Sequence, residues 1–146
     1  MTVEFKTGDL LKEPAQALVN TVNCVGVMGK GIALQFKKAY PENYYQYRIA
    51  CDKRLVVPGT MFIVPIDCQR HIINFPTKRH WRENSRLGDI KSGLAALIEE
   101  VQEREIMSIA IPKLGCGNGG LDWDVVKPLI VTAFEELPDV RVVIFE

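Results

Sequence analysis

The 146-residue sequence has no surplus of charge of either sign, since Lys+Arg and Asp+Glu number 18 each. That balance excludes a general polyanion-coating role, so any nucleic-acid contact has to come from a local patch. No apolar run approaches the roughly 18 residues needed to span a bilayer. Nothing at the N-terminus has the pattern of a secretory signal. Cysteine is sparse as well. Cys24, Cys51, Cys68 and Cys116 are widely spaced, with no Cys-x-x-Cys pair, so no metal site is expected. Linkers, repeats and low-complexity stretches are also missing. Together these absences predict a reduced, cytoplasmic, soluble chain without a membrane role, with length for one domain.

What is there alternates between strand and helix signals. Val3–Lys6 and Ala17–Val22 read as short strands, and a glycine-rich turn follows Cys24. An amphipathic helix is expected from about Ile32 to Tyr40, where Pro41 stops it and opens a second helix through Tyr44, Tyr47 and Ala50. Thr60–Ile66 and His71–Phe75 are rich in β-branched and aromatic residues, as strands are. The clearest helix is Gly88–Arg104, whose Ile90, Leu94, Leu97, Ile98 and Val101 fall on one face. Ile106–Ile111 reads as a strand covered on both sides. A last helix starts at Asp122, a good N-cap, carries Val126, Leu129, Ile130, Ala133 and Phe134 inward, and is expected to end at Pro138. Arg141–Phe145 closes the chain as a strand. Residues 1–146 are expected to form a single domain cut from a longer protein. Strands separated by helices predict an α/β/α sandwich around a largely parallel sheet, with ligands beyond the C-terminal strand ends.

Two glycine loops should lie on that rim. The first runs Asn20-Thr21-Val22-Asn23-Cys24-Val25-Gly26-Val27-Met28-Gly29-Lys30-Gly31-Ile32. Glycines there let successive N–H groups point into one concavity, beside the partial positive charge of a helix start. It is not a Walker loop, because Gly31 follows Lys30 where Ser or Thr is required. The second, Leu114-Gly115-Cys116-Gly117-Asn118-Gly119-Gly120-Leu121, contains a formal Gly-x-Gly-x-x-Gly. It falls too late in the chain for a dinucleotide fingerprint, and Asp139 precedes its strand instead of ending it. Two such loops suit a diphosphate clasped from both sides; tight turns without a ligand are the plain alternative.

With Gly8-Asp9 after the first strand and Val19-Asn20-Thr21-Val22-Asn23 at the second, these loops resemble the macrodomain family over essentially the whole chain. The strings Leu114–Trp123 and Asn74-Phe75-Pro76-Thr77-Lys78 are most similar to the branch that holds terminal ADP-ribose protein glycohydrolase and the DarG antitoxins. The resemblance implies a three-layer α/β/α macrodomain sandwich with a central mixed, largely parallel sheet. It implies ADP-ribose as ligand, with no cofactor. Asp9, with Leu10 beside it, would receive the adenine amino group, and Phe145 would stack on the ring. Asn20 would also contact the ligand, and Asn23 would orient the distal ribose. Gly29, Lys30, Gly31 and Ile32 would hold the diphosphate with Leu114, Gly115, Cys116, Gly117, Asn118, Gly119, Gly120 and Leu121, and Thr77 would complete the site. Each has a structural alternative: Asp9 as a turn cap, Asn20 and Asn23 as turn-formers, Phe145 as core.

In that branch a lysine at the position of Lys78 is the catalytic residue, attacking the opened distal ribose. An unperturbed lysine has a pKa of about 10.4, so only about one in 2,500 is a free amine at pH 7. Partial burial and the nearby cations Arg79, His80 and Arg82 would favour the amine. Pairing of Lys78 with phosphate is the alternative. Protein-acting members carry an aspartate where this chain has Gly119. Asp122 lies three positions later and also suits a helix N-cap, so the group that resolves a lysine adduct stays open.

Arg79, His80, Trp81 and Arg82 form the only basic cluster with an aromatic inside it, fitted to phosphate and base stacking. The resemblance implies reversal of ADP-ribosylation on thymine in single-stranded DNA, by a monomer paired with a cognate DarT-type toxin. A non-catalytic ADP-ribose reader and a hydrolase of protein-linked or small-molecule ADP-ribose remain alternatives. So does a hydrolase using Cys116, whose thiol the surrounding N–H donors would acidify.

Overall fold

The computed structural model describes residues 2–146. Six strands form one sheet: β1 (Thr2–Lys6), β2 (Ala17–Asn23), β3 (Phe62–Pro65), β4 (His71–Lys78), β5 (Ser108–Ile111) and β6 (Arg141–Phe145). Their spatial order is β1-β6-β5-β2-β4-β3, every neighbouring pair parallel except β3–β4. Four helices connect them: α1 (Gly31–Ala39), α2 (Pro41–Asp52), α3 (Leu87–Glu103) and α4 (Trp123–Phe134). The fold is the mixed, largely parallel α/β/α sandwich that the strand–helix alternation predicts. No described helix is long and apolar enough to cross a membrane, and all four cysteines are free.

Period-two patterning sorts the central strands between two cores. Ala17 and Val19 of β2, Ile73 and Phe75 of β4, and Ile109 and Ile111 of β5 face α3 and α4. Leu18, Ile72, Ala110 and Val143 face the opposite layer, where Phe36 of α1 packs. A third cluster, with Tyr47 and Ala50 of α2 over Val22 and Met28, continues that layer beneath the first glycine loop. All five predicted inward positions of α3 are buried, each contributing about 1.5–3 kcal/mol as a large apolar side chain. Gly93 of the same helix faces the Phe75 ring so closely that a Cβ there would overlap it. Side-chain bulk at this position is therefore excluded.

Several boundaries differ from expectation; β5, for example, starts at Ser108 rather than Ile106. β3 is shorter than Thr60–Ile66, whereas β4 runs through Pro76 to Lys78. Pro76 is tolerated because β3 pairing ends at Asn74, leaving β4 one neighbour at that point. α4 ends at Phe134, ahead of Pro138, because Glu135 and Leu137 turn back onto Thr132 and Phe134 carbonyls. Its Asp122 N-cap is as predicted, accepting from the Asp124 N–H at 2.9 Å.

Candidate active site

β5, β2 and β4 are adjacent and parallel, so the segments after Ile111, Asn23 and Lys78 leave the sheet along one rim. A cleft of about 740 Å3 lies there, bounded by both glycine loops and by the turn after β4. The loops face each other: a Cβ on Gly31 would stand 3.5 Å from Asn118 Nδ2. Four cations, Lys30, Lys78, Arg82 and Lys113, line the cleft against one carboxylate, Glu83. A chain with no net charge thus keeps a local positive site, the requirement set by its composition.

Asn23 holds the first loop in shape. Its Oδ1 accepts from Val25 N at 3.1 Å and Val27 N at 3.3 Å, and its Nδ2 donates to Val27 O at 2.8 Å. The Tyr47 hydroxyl, fully buried on α2, donates to Asn23 O at 2.7 Å and Oδ1 at 2.9 Å. Burial pushes that phenol's pKa up, so it remains a donor. α1 then begins at Gly31 with no side-chain cap. Its first-turn N–H groups have no acceptor within the helix, and Gly31, Ile32 and Ala33 line the cleft. This is an anion-ready helix start.

The second loop is shaped by its backbone. Gly115, Gly117 and Gly120 have φ of +72, +67 and +79°, a region that glycine occupies without strain. Gly119 O accepts from Ser85 N at 2.8 Å, and a Cβ on Gly119 would overlap the Ser85 hydroxyl. That hydroxyl is buried with no hydrogen-bond partner among the described residues. The Cys116 thiol pKa is raised, burial outweighing the pull of Lys113. The acidified nucleophile expected from the loop amides is thus corrected: desolvation of the thiolate dominates. Cys24, in the first loop, is likewise pushed up to about 11 by burial.

Lys78 ends β4 in register with Asn23, past a bulge in which β4 carries the extra residue, Thr77. Its Nζ donates to Trp81 O at 3.4 Å. Trp81, 46% exposed, carries the Arg82 guanidinium 4.6 Å above its ring and the His80 ring at 5.2 Å. Trp81 and Arg82 therefore form a rim beside Lys78. Arg79 does not join them: its guanidinium makes two 3.1 Å bonds to Asp89 of α3. That pairing removes it as a free cation beside Lys78 and turns it away from the cleft.

The Macro domain family profile matches residues 19–130. The chain belongs to the Macro domain family. It is 54% identical over 146 residues to a Mycobacterium tuberculosis protein named DNA ADP-ribosyl glycohydrolase, the match covering 98% of this chain and 42% of that protein. The chain thus spans less than half the length of that relative. The macrodomain of Mycobacterium tuberculosis DarG matches with a TM-score of 0.96 and 53% identity, covering 99% of this chain and 97% of the other. Thermosipho africanus DarTG in complex with ADP-ribose matches with a TM-score of 0.90 and 34% identity, over 99% of this chain and 41% of the other.

In this macrodomain most of the residues singled out from the sequence share one cleft. Asn23, Gly29–Ile32, Thr77, Lys78, Trp81, Arg82 and Gly115–Gly119 all line it. Asp9, Leu10 and Phe145 gather elsewhere on the same rim, at the β1–β6 end. Leu10 and Phe145 share a core cluster, and Asp9 accepts from Leu11 N at 3.0 Å, capping a turn over Leu10–Lys12. Asn20 is fully buried below the loop, donating to Asn74 Oδ1 at 3.2 Å, so it supports the floor and does not face the cleft. Leu114 is core, Leu121 packs against it, and Gly120 ends the loop's single 3-10 turn. Lys113, Glu83 and Asn84 were missed as lining residues. Lys113 had a signal, lying two residues after a strand and before a glycine loop.

Proposed function

We propose that this macrodomain removes ADP-ribose from bases, thymine foremost, of single-stranded DNA. In the cytoplasm it serves as the enzymatic part of an antitoxin against a DarT-type DNA ADP-ribosyltransferase. The observation that carries this reading is that Lys78 and the Trp81–Arg82 pair line the same cleft as both glycine loops. The name of the Mycobacterium tuberculosis relative supports the DNA acceptor, and the ADP-ribose complex of Thermosipho africanus DarTG supports the ligand and the toxin pairing.

The diphosphate lies between the loops, where the α1 start supplies about half a positive charge beside Lys30 and Lys113. The adenosine extends toward Asp9 and Phe145, and the distal ribose toward β4. Three strand spacings, about 14 Å, separate β6 from β4 across that rim. Lys78, as the free amine, forms a bond to C1″ while the bond from C1″ to the base nitrogen breaks. The electron pair leaves on the base, which gains the proton that the amine sheds. Water then replaces the lysine at C1″. Trp81 gives a base a stacking face worth about 1–3 kcal/mol, and Arg82 above it offers charge to the strand's phosphates.

An ADP-ribosylated single-stranded oligonucleotide, incubated with the protein, is expected to lose its modification, and Lys78→Ala to abolish that loss. Full activity in K78A rejects the lysine chemistry. Release from modified protein but not from DNA rejects the acceptor. Tight ADP-ribose binding without turnover on either would make the chain a reader.

A further inference from the structure

Water must lose a proton as it displaces the lysine, and the carboxylates nearest in sequence are occupied elsewhere. Asp122 caps α4 and lies outside the cleft lining. Asp89 is 8% exposed and locked to Arg79. No carboxylate could project from position 119 either, because even a Cβ there would overlap the Ser85 hydroxyl. Glu83 is different. Among the described residues it is the one carboxylate lining the cleft. Its side chain is exposed and makes no ion pair with any described residue.

Its position follows from the turn after β4. Glu83 N donates to His80 O at 3.1 Å, closing a turn whose Trp81 carbonyl accepts from Lys78 Nζ at 3.4 Å. The amine and the carboxylate are therefore carried by one short segment on one side of the cleft.

We propose that Glu83 is a catalytic residue, the general base for the water that releases ADP-ribose from Lys78. This rests on the lysine reading above. The water O–H bond breaks and its proton goes to the Glu83 carboxylate. The oxygen bonds to C1″, the C1″–Nζ bond breaks, and the proton is returned to Nζ, so both side chains end as they began. Positioned general bases contribute about 10²–10⁴-fold.

The test compares the unaltered protein, Glu83→Gln and Asp122→Asn on an ADP-ribosylated single-stranded oligonucleotide. The glycosylamine at C1″ is in equilibrium with its ring-opened imine, in which the C1″–O4″ bond has broken and O4″ has taken the Nζ proton. Borohydride added during turnover reduces that imine to a stable lysine adduct for mass spectrometry. E83Q should slow release about 100-fold or more and accumulate adduct on Lys78. Its affinity for free ADP-ribose should stay within about threefold of the unaltered protein, a difference under about 0.7 kcal/mol. D122N, which keeps a capping side chain, should match the unaltered protein. Turnover by E83Q at the unaltered rate, or slowing without adduct, overturns the assignment of Glu83 alone. No release by the unaltered protein overturns the proposed function and Glu83 with it.

Discussion

The two glycine loops that face each other across the cleft are held by opposite means. The first is tied from within the fold: Asn23 gathers two N–H groups and one carbonyl of its own loop, and Tyr47 reaches up from α2 to hold Asn23. The second has little side-chain support. Its course depends on positive φ at Gly115, Gly117 and Gly120, and on the room left for Ser85, Leu121 and Ile90. A loop built on hydrogen bonds should fail gradually as bonds are removed. One built on missing side chains should fail when a single carbon is added.

Gly115→Ala should show this most strongly. It forces left-handed backbone on an L-residue and brings Cβ to 2.8 Å from Leu121 Cδ1 and 3.2 Å from Ser85 Cβ. The left-handed cost of about 1–2 kcal/mol and an overpacking cost of about 1–3 kcal/mol predict a loss of roughly 2–5 kcal/mol in urea denaturation. Asn23→Ala comes next, with about 2–3 kcal/mol from two N–H groups left without acceptors. Calorimetry should show ADP-ribose affinity reduced about tenfold as the first loop loosens. Tyr47→Phe keeps the ring and removes only its hydroxyl, so about 1 kcal/mol is expected, read as a lower Tm. Gly117→Ala has the same backbone strain as Gly115→Ala but open space around its Cβ, so about 1 kcal/mol is expected. Equal losses in G115A and G117A would show that crowding is irrelevant to the second loop. No loss in Y47F would remove the contrast from the other side. The smallest effect concerns the thiols. Burial holds Cys24 and Cys116 mostly protonated, so iodoacetamide at pH 7.5 should label exposed Cys68 first and leave ADP-ribose affinity unchanged. Rapid labelling of Cys116 would restore it as a nucleophile.

Local signals explain what the sequence made legible. α3 was readable because five apolar residues recur at helical spacing, and β5 because its run is covered on both faces. Both loops could be placed on the rim because each follows a strand and precedes a helix. Pro76 concealed the last residues of β4, since its acceptability depends on where β3 stops pairing. The direction of Arg79 depended on Asp89, ten residues on in another element. Tyr47 read as one apolar-face residue of a helix, with nothing local to show that its hydroxyl supports Asn23. Glu83 sat within a basic stretch, and only the folded turn brings it to the cleft that Lys78 lines.

Gly93 ties the distant core to the rim. Because its missing methyl admits the Phe75 ring, α3 can settle directly onto β4, and the first turn of that helix supplies Asp89, the tether of Arg79. The stand-off between helix and sheet thus acts as a shim for the Trp81 turn. Thickening it by one carbon would tilt the tether, and with it the turn that sets the aromatic rim beside the lysine, from a position buried in the core.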